Sequence, residues 1–316
     1  MKPTRRQFLA TSAAAGAGML AGCEQIPFLG GGGGSGAFAN WVPAAGELEP
    51  DSEAVRFRVS SPTQIHGNRN NLRPNTYAQR QRSYRTGVSW QSLNMELSFE
   101  SGTVYKGSYN VGDVDSELTT PSGAGDGGEY SQEDSKGNYD IYIPDGDDTD
   151  DARQAWAVSG NAIISAQATG SRFGNTFSSA VENAKTIIDV GQNGEGRAVN
   201  DDDAFSTLAN ELGGTIVYGR TLRDEISSSR ESIARGDFGG MVASGTSITI
   251  NGKNSKFKRV FVFDNESEVN TGDLEEYVER NDTSGGILSY ARNTSVSQSG
   301  SAGVVSATID TYDIGR

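Results

Sequence analysis

The chain has one cysteine and one histidine in 316 residues. A lone thiol forbids any disulfide within the chain, so stability must come from packing and from the solvent. Zinc and copper sites draw several ligands from Cys and His, and this sequence offers one of each. A Ser-His-Asp constellation would have to use His66, which precedes the polar stretch Gly67 to Asn71 and has no nucleophile-elbow motif beside it. No glycine-rich phosphate cradle opens a helical pattern. Carboxylates are abundant, but no pair stands apart as an acid/base couple. Lysine is scarce, with seven residues against twenty arginines. No apolar run reaches the roughly 20 residues of a spanning helix. Hydrophobic residues make up 34% of the chain, which implies a modest core. These absences argue against an enzyme and leave no resident cofactor to expect.

The longest apolar stretch runs from Phe8 to Gly22, interrupted only by Thr11 and Ser12, and has the length of a signal core. Lys2, Arg5 and Arg6 place positive charge before it, and Leu20-Ala21-Gly22-Cys23 closes it. Arg5-Arg6, preceded by Thr4 and followed by Phe8-Leu9, resembles the twin-arginine export signal. The closing tetrapeptide resembles the lipobox of exported lipoproteins. The resemblance implies that residues 1–22 are removed and that Cys23 carries a lipid on its thiol. The mature chain would then sit on the extracellular face of the cell membrane. An uncleaved N-terminal anchor, the alternative, places it on the same side.

The twin-arginine route carries proteins already folded, and the composition offers a reason for folding early. There are 41 acidic and 27 basic residues, for a formal net charge of −14. Three of those basic residues belong to the signal. Carboxylates hold water and cations in brine, and Arg carries its charge on a less hydrated head than Lys. At molar salt the screening length is about 3 Å, so self-repulsion of an acidic surface is muted. Signal, lipobox and acidic, Lys-poor composition together resemble an exported lipoprotein of a halophilic archaeon. The alternative is an ordinary acidic extracytoplasmic protein.

Residues 23–37 contain five consecutive glycines, Gly30 to Gly34, and read as a flexible tether. Beyond it, period-two alternation predicts strands at Val55–Val59, Met95–Phe99, Thr103–Tyr105 and Tyr139–Ile143. Ala155–Val158 and Ala162–Ser165 form a hairpin pattern. Helices are predicted over Asn110–Leu118, over Ser179–Val190 with a Ser179/Glu182 capping box and Gly191 as its stop, over Asp203–Leu212, and over Asp273–Arg280 with an Asp273/Glu276 pair. Residues 119–138 read as a loop or hairpin tip. Further strands are expected at Thr215–Tyr218, Gly240–Ala243, Ser247–Ile250, Arg259–Phe263, Leu288–Arg292 and Val304–Ile309. Short strand runs with an occasional helix indicate an α+β fold with mostly antiparallel sheets. Thr103-Val-Tyr105 and Thr215-Ile-Val-Tyr218 suggest two similar ferredoxin-like halves, divided as 38–198 and 199–316.

Four features carry candidate chemistry. Asp145, Asp147, Asp148 and Asp150 form the densest acidic cluster, either a Ca²⁺ loop or a solvated turn. Asp201 to Asp203 read as charge at a helix N-terminus. Between Glu53 and Glu96 the chain carries seven arginines and no acid. Of these, Arg69, Arg73, Arg80, Arg82 and Arg85 are candidates for docking an acidic protein or polysaccharide, or for pairing internally with acidic loops. Asn265, Asn281 and Asn293 open N-glycosylation sequons. No feature points to nucleic acid. The functional expectation is a membrane-anchored, non-catalytic binding module. The alternative is an extracellular hydrolase or ligand receptor using carboxylates and Ca²⁺.

Overall fold

A computed structural model describes residues 37–49, 52–81, 84–120, 129–170, 178–227, 232–282 and 285–315. Arg5, Arg6, Cys23, the glycine run and Arg82 lie outside the described residues. The chain folds as α+β around one antiparallel sheet. Its strands are β1 (Arg56–Ser60), β2 (Leu93–Phe99), β3 (Gly102–Gly107), β4 (Tyr130–Lys136), β5 (Tyr139–Pro144), β6 (Gln154–Val158), β7 (Ile163–Gln167), β8 (Ile216–Thr221), β9 (Met241–Asn251), β10 (Asn254–Phe263), β11 (Arg292–Ser299) and β12 (Ala302–Asp310). Across the sheet they run β11-β12-β10-β9-β8-β1-β2-β3-β7-β6-β5-β4. The helices are α1 (Pro62–Gly67), α2 (Pro74–Arg80), α3 (Val111–Thr119), α4 (Ala180–Gln192), α5 (Ala198–Asp201), α6 (Asp203–Glu211) and α7 (Thr271–Asp282).

The two halves meet at the β1–β8 ladder, where Arg56 pairs with Arg220 and Ser60 with Ile216. Outward from that seam each half repeats one plan. Three strands meander, and then the last strand of the half returns beside the third: β7 beside β3, and β12 beside β10. The second half contains a split β-α-β piece, since α7 joins β10 to β11 with β12 between them. That piece belongs to the ferredoxin-like plan. The rest departs from it: each half opens with a strand meander where a ferredoxin-like unit would place another crossover helix, and the first half adds the outer hairpin β4–β5.

Alternation along the strands separates two faces. On one face, Phe57, Leu97, Val104, Ile141, Ile164, Val217 and Val260 join a core that crosses the seam. It is covered by α4, α5, α6 and residues 37–49. Phe38 stacks on Phe57, which meets Phe205 edge-on at 5.3 Å. Each fully buried side chain of this size contributes roughly 1.5–3 kcal/mol. Gly219 allows β8 to approach, because a Cβ there would lie 2.3 Å from the Phe57 ring. The other face is covered in two separate patches. Toward β10 and β12, helices α1 and α7 pack over Ile216, Phe261 and Val305. Toward β5 and β6, α3 packs over Tyr142 and Trp156.

Several boundaries differ from the sequence expectation for physical reasons. The Ser179/Glu182 capping box forms, but α4 runs through Gly191 to Gln192. Gly191 is a packing residue: its Cβ would sit 2.2 Å from Trp41. At α7 the cap is Asn270, whose Oδ1 accepts from the Gly272 amide, while Glu276 pairs with Arg280 one turn on. Asn110 caps α3 and Asp202 caps α6. Pro62 ends β1 and also opens α1, where a missing amide is harmless. The strands expected at 240–243 and 247–250 are one strand, β9. Residues 287–290 form a 3₁₀ turn, and the strand after them, β11, is polar throughout except Val296. β4 lies inside the stretch expected to be a loop. Both β11 and β4 are sheet edges, and both carry a bulge and polar side chains, which discourage pairing with another chain.

Candidate functional site: an arginine groove at the seam

Between the two helix-covered patches, the stretch of the second face that carries Arg56 and Arg58 of β1, Ser98 of β2 and Tyr218 and Arg220 of β8 lies open, beyond the end of β8 where α1 packs over Ile216. The period-two pattern that buries Phe57 and Val59 turns Arg56 and Arg58 to this side, and the pattern that buries Val217 turns Tyr218 and Arg220. The ladder sets Arg56 opposite Arg220 and Arg58 opposite Tyr218. Thr246 and Ser244 of β9 continue the two rows, and Arg259 of β10 pairs with Thr246. The result is an open depression of about 520 Å³ lined by Arg56, Glu100, Tyr218, Arg220 and Arg259, with Ser98 and Ser244 between them. Arg58 borders it.

The charges here are poorly neutralised. Arg56 lies 3.9 Å from Glu100, with both side chains largely exposed, a pair worth at most about 1 kcal/mol. Arg58 lies 5.2 Å above the Tyr218 ring. Arg259 donates to the Thr246 hydroxyl at 2.7 Å and lies 5.2 Å from the Phe261 ring. Its Nε is buried without a hydrogen-bond partner. Among the described residues, Arg58, Arg220 and Arg259 have no carboxylate at ion-pair distance. Burial holds the Arg259 guanidinium below the usual arginine range; Tyr277 and Asp237 oppose that shift, and the charge of Arg220 adds to it. A guanidinium in such surroundings stays protonated and gains from an incoming anion. Tyr218 is 38% exposed, one of two large hydrophobic side chains so open among the described residues.

The arginines singled out from sequence are placed elsewhere. Arg73 pairs with Asp313 at 3.2 Å, donates to the Tyr312 carbonyl and lies 4.9 Å above the Tyr312 ring. Arg85 donates to the carbonyls of Glu117, Leu118 and Thr120, closing the C-terminal end of α3, and lies over Tyr130. Arg69 is exposed and donates to the His66 carbonyl at 3.3 Å. Arg80 lies in the last turn of α2. Arg73 and Arg85 are tied to the chain itself, and the pairing of Arg73 is with the C-terminal turn rather than with an acidic loop.

Asp145 to Asp150 follow β5 as a turn. The Asp148 carboxylate accepts from the Asp150 amide at 3.1 Å, holding the turn itself. Among the described residues, no group of three or more His, Cys, Asp or Glu side chains is set to hold a metal ion. Nδ1 of His66 lies 2.6 Å from the Tyr77 hydroxyl, away from the groove. Asn265 and Asn293 are exposed, the latter at φ 52° in the bulge of β11. The Asn281 amide instead donates to the carbonyls of Ala234 and Tyr277. No helix among the described residues is long and apolar enough to cross a membrane.

The alternation Arg56-Phe57-Arg58 was a legible signal for one wall of the groove. Arg220 and Arg259 carried none, because each is the one arginine of its strand and only the ladder brings them to the seam.

No protein-family model matches the chain, and no curated protein matches it in sequence. Among solved structures it is similar to TP0453. Crystal form III aligns with a TM-score of 0.42 at 8% identity over 86% of this chain and 96% of that chain. Crystal form IV aligns with a TM-score of 0.42 at 9% identity over 89% and 98%.

Proposed function

We propose that this chain is a lipid-anchored, non-catalytic binding module on the extracellular face of a halophile's cell membrane, and that the arginine groove is its contact surface for an anionic ligand. The export signal, Cys23 and the glycine tether support the location, and the net charge of −14 supports the solvent. One observation carries the binding role. In a chain with 41 acidic residues, three clustered arginines stand without a carboxylate partner while Arg73 finds one. A surface so rich in acid could neutralise the whole groove, and it does so only at Arg56, through the exposed pair with Glu100. Arg presents a planar donor fork that matches carboxylate, sulfate or phosphate oxygens, so recognition works at contact range even where salt screens longer attraction.

The test is retention on immobilised dextran sulfate in molar KCl. The full chain is expected to bind, and the Arg58→Gln/Arg220→Gln double variant to elute early. Equal retention of the two proteins would overturn the reading. Location is checked separately: Cys23→Ser should move the protein from the membrane fraction into the medium.

A further inference from the structure

Resting on that reading, we infer that the groove takes an acidic polysaccharide, a polymer of carboxylate-bearing sugars, laid across the β1–β8 seam. The position of the groove speaks first. It lies in the middle of the sheet, where β1 is paired on both sides by β2 and β8, and β8 by β1 and β9. An acidic peptide there could not add as a strand, because no backbone donor or acceptor row is free. It would have to bind through side chains alone, and its own backbone amides would face a surface that offers them no ladder.

The lining speaks second. A depression of about 520 Å³ has the size of a small-ligand site, room for a short run of sugar rings. Arg56 and Arg58 are two residues apart on one strand, so they emerge on the same side roughly 7 Å apart; Tyr218 and Arg220 repeat that spacing on the neighbouring strand. Guanidinium groups spaced along the seam suit a polymer with a carboxylate on each unit. Ser98 and Thr246, both part-exposed, supply hydroxyls for the neutral positions of a sugar, and the exposed Tyr218 ring suits its C–H face. The Thr246 hydroxyl is held by Arg259, so its remaining hydrogen-bonding capacity is oriented rather than free to rotate.

Third, the surface outside the groove is rich in carboxylates, which offer a polyanion no partner at contact range. The acidic turn Asp145 to Asp151 and the overall net charge of −14 leave the arginine face as the side on which a polyanion gains.

The experiment titrates the full chain in molar KCl with three probes: oligogalacturonate, the same oligomer with its carboxylates methyl-esterified, and oligo-glutamate. The inference expects oligogalacturonate to bind, the ester to bind at least about tenfold more weakly, and oligo-glutamate to fail as a competitor. Arg58→Gln and Arg220→Gln should each weaken binding by roughly tenfold with an unchanged melting temperature. Arg58→Lys, which keeps the charge and loses the fork, should recover only part of the affinity. Equal or tighter binding of oligo-glutamate through the same arginines would overturn the inference and leave the groove as an anion site for acidic peptides. Retention on dextran sulfate without binding of oligogalacturonate would overturn it in favour of sulfate or phosphate esters. If no polyanion binds, both the inference and the proposed function fall.

Discussion

Two sets of arginines in this molecule have opposite fates. Arg73 and Arg85 come from an acid-free stretch of sequence and end as staples. One is tied to Asp313 and Tyr312, the other to the terminal carbonyls of α3. Arg56 and Arg58 come from the same stretch, yet with Arg220 and Arg259 they face an open groove and three of the four lack a carboxylate partner. The difference follows from secondary structure. Loop and helix-end arginines can swing toward the nearest carbonyl or acid. Strand arginines are fixed on one side of a pleat and meet only what the ladder places beside them. Here the ladder places other arginines, a tyrosine and hydroxyls.

Separating stability from binding is the sharpest way to break this contrast. Arg85→Ala should have the largest effect on folding, about 2–3 kcal/mol, because three carbonyls at the end of α3 lose a charged donor. Urea unfolding would measure it, and retention on dextran sulfate should not change. If Arg85→Ala lost retention at unchanged stability, the two sets would have been assigned the wrong way round. Arg58→Gln with Arg220→Gln should show the converse, with early elution and a urea midpoint unchanged within error.

Arg73→Ala is expected to cost less, about 1 kcal/mol, since its ion pair is partly exposed. The loss should be local. Hydrogen exchange of the amides at 311–315, which the Arg73 contacts to Tyr312 and Asp313 hold, should speed up before that of the strands. Arg69→Gln should change neither quantity, because its side chain is exposed and makes a single carbonyl contact.

A small, pH-dependent effect is expected at the far edge of the sheet. Lys185 lies 2.5 Å from Asp134 and, through that hydrogen bond, holds the carboxyl below the usual aspartate range. A depressed folded pKa means that the stabilisation is present above the unfolded value near pH 4 and is lost as pH falls through the folded one. The pair is largely exposed, so solvent screening leaves it no more than about 0.5 kcal/mol. Urea midpoints of the wild type and Asp134→Asn should differ slightly at pH 7 and converge in acid. A gap that widened in acid would contradict the assignment.

Much of the fold was legible because local rules decide it. The Ser179/Glu182 box, the Asn110 cap and the alternation in β1, β2 and β5 depend on neighbours within a few residues, and each formed as read. The elements without a legible signal are the short helices α1 and α2, too brief to show a helical period, and two edge strands. β4 and β11 are polar edge strands whose pairing comes from the partner strand, so their own sequences resemble loop. Gly191 looked like a helix stop because the ring it accommodates, Trp41, lies far away in sequence. The groove was half legible. Arg56 and Arg58 mark a charged side to β1, whereas the density of arginine in 69–85 says nothing about the direction in which those side chains point.

The sequence by itself determined most of the strands and helices, the excess of acid over base and the absence of any disulfide within the chain. These follow from composition and short-range pattern. Only the tertiary structure decided that the two halves join through β1 and β8. With that ladder it decided that single arginines from three strands meet on one uncovered face. The reason is geometric: a strand fixes on which side a residue points, and the order of strands in the sheet fixes what that residue finds there.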